Sequence, residues 1–205
     1  AVLPRTTVEK VVITELADLH PQPKRFLINF IAKHIKKLVP AFSIPGALKL
    51  TEVLAAGRKH ECVSVTQLRA GDLAMLQYTG GTTGVAKGAM LSHGNIIGSV
   101  AQSKKHFAEA NTTNSGLLIA PLPIYHIFGF CVYLCSNFAS GGRSVLIPDP
   151  RNLDGLLDVM IAFPFTGFAS VNSMLVGLMN NKKFDQVDWS HLQWTGVGGA
   201  ALVPD

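Results

Sequence analysis

Apolar residues fall into short runs whose period changes along the chain. The β-branched run 11–14 predicts a strand. Residues 18–24, with Pro21 and Pro23, predict a loop. Over 25–39, Leu27, Ile28, Ile31, Ile35 and Leu38 recur at helical spacing, and Pro40 stops the pattern. Residues 41–69 are punctuated by Pro45, Gly46 and Gly57, with one helix over 48–56. From residue 73 onward, apolar strands at 73–77, 117–120, 144–147, 166–169 and 193–197 alternate with helical stretches. These helices span 96–108, 127–139, 153–162 and 171–180. Ser92 or Asn95 is placed to cap the first, and Asn152 the third. Such alternation predicts an α/β fold, a mostly parallel sheet flanked by helices. Residues 1–70 then form an N-terminal helix and loop portion, and 71–205 the βαβ portion.

The strand at 73–77 runs into Tyr78-Thr79-Gly80-Gly81-Thr82-Thr83-Gly84-Val85-Ala86-Lys87-Gly88, and 90–95 reads as the start of the next helix. Glycines let the backbone turn tightly and approach a ligand closely. Threonine hydroxyls can donate to phosphate oxygens or join a metal–phosphate shell, and Lys87 adds a mobile positive charge. Backbone N–H groups in a loop before a helix make an anion cradle. A flexible linker needs neither hydroxyls nor a lysine at fixed places. The spacing is not Gly-x4-Gly-Lys-Ser/Thr: six positions from Gly80 stands Val85, and Gly88 follows Lys87.

In parallel sheets, ligands sit beyond the carboxyl ends of strands. Three strands here run into unusual loops: the glycine-rich stretch, 121–126, and 198–201. If those strands are neighbours in one sheet, the loops converge on one crevice. Gly196-x-Gly198-x-x-Ala201 also meets the loose dinucleotide fingerprint, but no acidic residue follows at the required distance. Asp72, His93, Asp149 and Asp154 read as loop and cap residues.

Hydrophobic content is 48% and charged content 15%, which places the chain among globular domains and excludes disorder. The net charge of +5 suits anionic ligands such as nucleotides, or anionic membrane surfaces. It is too scattered for nucleic acid. Lys24, Arg25, Lys33, Lys36 and Lys37 give the 25–39 helix a basic side, either a solvated face or a surface for anionic head groups. Three cysteines without framework spacing point to a reducing, cytoplasmic setting. Cys131 and Cys135 read as buried structural thiols rather than metal ligands. Residues 114–142 carry no Asp, Glu, Lys or Arg, yet Pro121, Pro123, His126 and Asn137 interrupt any run long enough to span a bilayer. The first residues lack the apolar region of a signal peptide.

The glycine-rich stretch closely resembles the signature loop of the AMP-forming acyl-adenylating enzymes. Further segments, Lys36 to Pro40, Leu122 to Phe128, Asn180 to Lys182 and Trp189 to Leu192, look like a bacterial long-chain fatty-acid–CoA ligase. The resemblance implies a two-step reaction. ATP and a fatty acid give an acyl-adenylate and pyrophosphate, and the CoA thiol then displaces AMP. Tyr78, Thr79, Gly80, Gly81, Thr82, Thr83, Gly84, Lys87 and Gly88 would wrap the ATP phosphates, with Thr79 at the position associated with Mg²⁺. His126 and Lys87 would be the catalytic side chains. Tyr125, His126, Phe128, Phe130, Gly198 and Ala201 would line the acyl pocket, with Phe130 at the place of a tunnel gate. Gly198, Gly199 and Ala200 would touch the adenine. From the residues alone, Phe128 and Phe130 read equally well as core packing.

The resemblance also implies what stands elsewhere: a downstream glutamate for Mg²⁺, an aspartate for the ribose, and a small C-terminal domain with a catalytic lysine. Read this way, the chain is an internal fragment of the large N-terminal domain and is inactive as a ligase by itself. An aryl or medium-chain acid as substrate, or a noncatalytic nucleotide-binding module, stay open as alternatives. Residues 124–138 hold no acidic side chain to meet an ammonium group, which favours an apolar acid. Peripheral contact with the inner face of the membrane and a homodimer also remain open.

Overall fold

Alternate side chains of strand β5 (Leu117–Ala120) serve two different cores. Ile119 enters one with Leu156, Leu157 and Met160 of helix α6 (Leu153–Ala162), Leu178 of α7 (Asn172–Met179), Phe165, and Phe168 of strand β7 (Gly167–Ser170). Leu118 and Ala120 enter the other, with Ala169, Leu122 and Tyr133. Tyr133 belongs to one continuous helical segment made of α4 (Ile127–Gly129), a π-helical stretch Phe130–Ser136 and α5 (Asn137–Ala139). A strand covered on both faces reads as an unbroken apolar run, which is why 117–120 is legible.

The computed structural model describes residues 3–62, 67–79, 86–106, 108 and 116–199. The chain divides into two units, Ala1–Thr66 and Gln67–Asp205. In the second, four strands pair in the order β6-β5-β7-β8, with β6 at Arg143–Leu146 and β8 at Trp194–Val197. All three pairings are parallel. The α/β class and the parallel sheet are therefore as the alternation predicts. Gly167 lets the strands' side chains close over it. A Cβ there would lie 2.5 Å from both Leu118 Cδ2 and the Trp194 ring.

Helix α6 has the predicted bounds. The Asn152 Oδ1 accepts the Gly155 N–H at 3.1 Å, satisfying a donor that the first turn leaves unpaired. Asn152→Ala is expected to cost about 1 kcal/mol, read as a lower urea midpoint with an unchanged slope.

The first half of this unit departs from expectation. Strand β3 (Leu73–Thr79) is not in the parallel sheet; it pairs antiparallel with β4 (Lys87–Ser92). Met90 and Leu91 do not begin a helix but lie opposite Leu76 and Met75. Helix α3 (His93–His106) starts only after them. Ser92 and Asn95 both cap it: Ser92 Oγ accepts the Asn95 N–H at 3.2 Å, and Asn95 Oδ1 accepts the Ser92 N–H at 3.0 Å. Toward its other end, Lys104 Nζ donates to the Ala139 carbonyl at 2.9 Å, a cation on the last turn of α5.

In the first unit, β1 (Val12–Ile13) pairs in parallel with β2 (Leu48–Lys49). Those two β2 residues leave the predicted 48–56 helix, so α2 covers Leu50–Gly57. Helix α1 (Lys24–Phe30) runs on as a π-helical turn, Ile31–Ile35. It stops short of Pro40 because Lys37 adopts φ +47°, a left-handed conformation that breaks the ladder.

Candidate active site

Because β7 lies between β5 and β8, the carboxyl ends of these three strands stand side by side. Tyr133 ties two of them together. Its side chain is fully buried in one cluster with Ala120 and Leu122, and its hydroxyl donates to the Ala169 carbonyl. Burial is the main influence on this phenol and raises it far above the ordinary range, so it stays a neutral donor. The third end is tied by the Gly198 N–H, which donates to the Ser170 carbonyl at 3.1 Å.

The loop after β5 and the loop after β8 meet at a glycine. A Cβ on Gly198 would lie 3.0 Å from the Phe128 ring, so the phenylalanine packs directly over that backbone. Gly199 follows at φ +80°, which only glycine adopts without strain. Phe128 also packs against the core cluster around Tyr133. Phe130 is half-buried and Tyr125 is 81% exposed.

His126 stands at the head of α4 with extended backbone. Its Nδ1 accepts the Phe128 N–H at 3.2 Å, taking the place of a serine or aspartate cap. An accepting Nδ1 puts the ring proton on Nε2. The imidazole is exposed, and Nε2–H is the donor it offers. The backbone N–H of His126 donates to the Pro123 carbonyl at 3.1 Å, holding the 121–126 loop closed beneath the helix.

The glycine-rich stretch is joined to a hairpin rather than to a helix. Thr79 faces Lys87, and Tyr78 faces Gly88. A Cβ on Gly88 would meet the Tyr78 ring at 3.4 Å. Lys87, Gly88 and Tyr78 are exposed. The cradle at a helix N-terminus is thus corrected: the residues after the loop form β4, paired with β3, and the helix begins only at His93. The condition of three neighbouring strands in one sheet is likewise not met, since β3 belongs to a different sheet from β5 and β8. Gly80, Gly81, Thr82, Thr83, Gly84, Ala200 and Ala201 lie outside the described residues, as does the side chain of Thr79.

Two contributors are not singled out by the sequence reading. The end of β7, with Ser170 fully buried, fills the gap between the two loops. Tyr133 pins the helix that carries His126 to the sheet. Its signal is chemical: a tyrosine in an uncharged, buried helix needs a partner for its hydroxyl. Among the described residues, no group of three His, Cys, Asp or Glu side chains could hold a metal ion. Cys131 and Cys135 are half-buried free thiols; burial first, then the neighbouring Cys131, raises Cys135 above the ordinary thiol range.

A family model described as AMP-binding enzyme matches residues 7–205. A long-chain-fatty-acid–CoA ligase from Salmonella typhimurium is 38% identical over 198 residues, covering 97% of this chain and 35% of that protein. Its counterpart in Haemophilus influenzae is 39% identical over 201 residues, covering 96% and 35%. The chain thus spans about a third of the length of these relatives. Among solved structures, ATP-bound MatB from Rhodopseudomonas palustris matches with a TM-score of 0.62 at 25% identity, covering 91% of this chain and 34% of that one.

Proposed function

The chain belongs to the AMP-binding enzyme family, and from that premise we propose that it is part of a long-chain fatty-acid–CoA ligase. What carries the reading is the pair of relatives bearing that name, at 38% and 39% identity across nearly all of this chain. The local chemistry agrees with it. No acidic side chain occurs over 124–138, beside the loops, so nothing there would hold an ammonium group. The apolar ring of Phe128 packs over the backbone at Gly198, and Val171 lies beside Gly199.

In this reading the glycine-rich stretch holds the ATP phosphates through backbone N–H groups, threonine hydroxyls and the Lys87 ammonium. Thr79 would take part in holding Mg²⁺, and the ion would supply charge neutralisation at the phosphates. The fatty-acid carboxylate attacks the α-phosphorus, and pyrophosphate leaves. His126, with its proton on Nε2, donates a hydrogen bond to the carboxylate or to the acyl-adenylate carbonyl and orients it. No proton transfer is asked of it. The CoA thiol then attacks the acyl carbon, forming the thioester as AMP departs. In the same reading Gly198 and Gly199, just beyond β8, would meet the adenine, and Gly198 the start of the acyl chain.

The test is ATP–pyrophosphate exchange by the full-length protein with straight-chain acids from acetate to stearate, and with an aromatic acid. A response rising with chain length is the expected result. A best response to a short or aromatic acid overturns the substrate assignment. The 205-residue chain by itself is expected to give no exchange, because it spans only about a third of the length of the relatives that carry the reading.

A further inference from the structure

We propose that Tyr133 is a positioning residue for His126: it grips the π-helical stretch from two strands at once and so sets where the His126 Nε2–H is presented. The grip rests on geometry alone, and its consequence for the reaction rests on the ligase reading.

The segment 127–139 packs on β5, where Tyr133 shares a cluster with Leu118 and Ala120. The two strands beside β5 are β6 and β7, and each makes one bond to Tyr133. On the β7 side its hydroxyl donates to the Ala169 carbonyl. On the β6 side its carbonyl accepts the Ser144 hydroxyl at 2.7 Å. Ser144 Oγ in turn accepts from Asn137 Nδ2 at 2.9 Å, and that nitrogen also donates to the Arg143 carbonyl at 2.9 Å. One residue thus fastens the segment on both sides of the strand beneath it. These groups are packed within the unit's own core, with Tyr133 0% exposed.

The register of this segment needs such fastening. Its middle, Phe130–Ser136, follows an i to i+5 ladder, which is uncommon beside the i to i+4 ladder of an α-helix. Residues ahead of a π-helical stretch are turned relative to an unbroken α-helix. His126 stands at that end. The Phe130 N–H donates to its carbonyl at 2.9 Å, the Phe128 N–H donates to its Nδ1, and the Phe128 ring packs on the Tyr133 cluster. Where the stretch relaxes toward α-helix, the imidazole turns with it. A phenylalanine at 133 would fill the same space, so the hydroxyl contributes the bond rather than the packing.

Tyr133→Phe and Ser144→Ala in the full-length protein test the proposal. Fatty-acid-dependent ATP–pyrophosphate exchange should fall about tenfold in Tyr133→Phe, with KM for ATP unchanged, since small misplacements of an orienting group cost rate. Ser144→Ala should fall in the same direction by less. In a His126→Ala background, Tyr133→Phe should cost nothing more, because a residue that acts through His126 has no group left to orient. Imidazole nitrogen NMR of histidine-labelled protein, at a pH where the rings are neutral, gives a readout free of substrate. The signal that His126→Ala removes should report the Nε2–H tautomer in the parent and a mixture of tautomers in Tyr133→Phe. An unchanged His126 signal in a folded Tyr133→Phe overturns the proposal, as does an equal loss of exchange with and without His126. If Tyr133→Phe fails to fold, Ser144→Ala decides by the same two readouts. A parent that exchanges with no fatty acid overturns the ligase reading, while the imidazole spectra still decide whether Tyr133 orients His126.

Discussion

Phe168→Ala is expected to destabilise the second unit by about 3–5 kcal/mol. The ring is 2% exposed on a central strand, pressed between Leu156, Leu157 and Met160 of α6 and Ile119 of the neighbouring strand. Truncation removes apolar surface from burial and leaves a cavity. The cavity cannot collapse easily, because its walls come from a sheet and from helices fixed on it. Urea unfolding followed by tryptophan fluorescence checks this. The two tryptophans, Trp189 and Trp194, both belong to this unit, and Trp189 packs edge-on to Phe165 in the same core. The midpoint should fall steeply with the slope unchanged. A loss below about 1 kcal/mol would mean that the two-faced sheet described here is wrong at its centre.

Gly129→Ala should be nearly as damaging, for the opposite reason. Gly129 has an ordinary helical conformation, φ −61° and ψ −41°, so alanine meets no backbone strain. What it meets is the 121–126 loop. Its Cβ would lie 2.4 Å from the Pro123 carbonyl oxygen and 3.0 Å from the Pro123 carbonyl carbon. Both are backbone atoms and cannot swing aside. The same carbonyl receives the His126 N–H, so relief of the clash moves His126. A loss of about 2–3 kcal/mol is expected, in the range for overpacked sites. Gly57→Ala is the control: nothing lies within 4 Å of its would-be Cβ, at the end of α2. That change should be neutral or slightly stabilising. Equal midpoints for the two variants would show that the loop does not press on the helix.

Much of this architecture can be read before any coordinates. The 117–120 run shows itself because a strand buried on both faces has no polar position to blur it. The bounds of α6 are legible because Asn152 is a chemical start signal and the apolar spacing behind it is regular. The hairpin is hidden for the converse reason. Lys87-Gly88-Ala89-Met90-Leu91-Ser92 has no β-branched residue, and its pairing with β3 is what makes it a strand. The end of α1 is hidden because a lysine, not a glycine, takes the left-handed position at residue 37. For the site, His126 and Gly198 could be named from the sequence. Their meeting through Phe128, and the Tyr133 bond that steadies them, depend on which strand lies between β5 and β8, and periodicity carries no strand order.

The hairpin also separates how the halves of the site are closed along the chain. Thr79 and Lys87 pair only eight residues apart, whereas the bond from the Thr166 hydroxyl to the Leu117 carbonyl closes a span of 49. Loop-closure entropy grows with the logarithm of length, and the difference comes to about 1.6 kcal/mol against the longer span. The strands that flank the glycine-rich stretch are held by contacts made within their own neighbourhood. The edge that carries His126 exists only once distant segments have found each other, so its geometry depends on the whole sheet's cooperative stability.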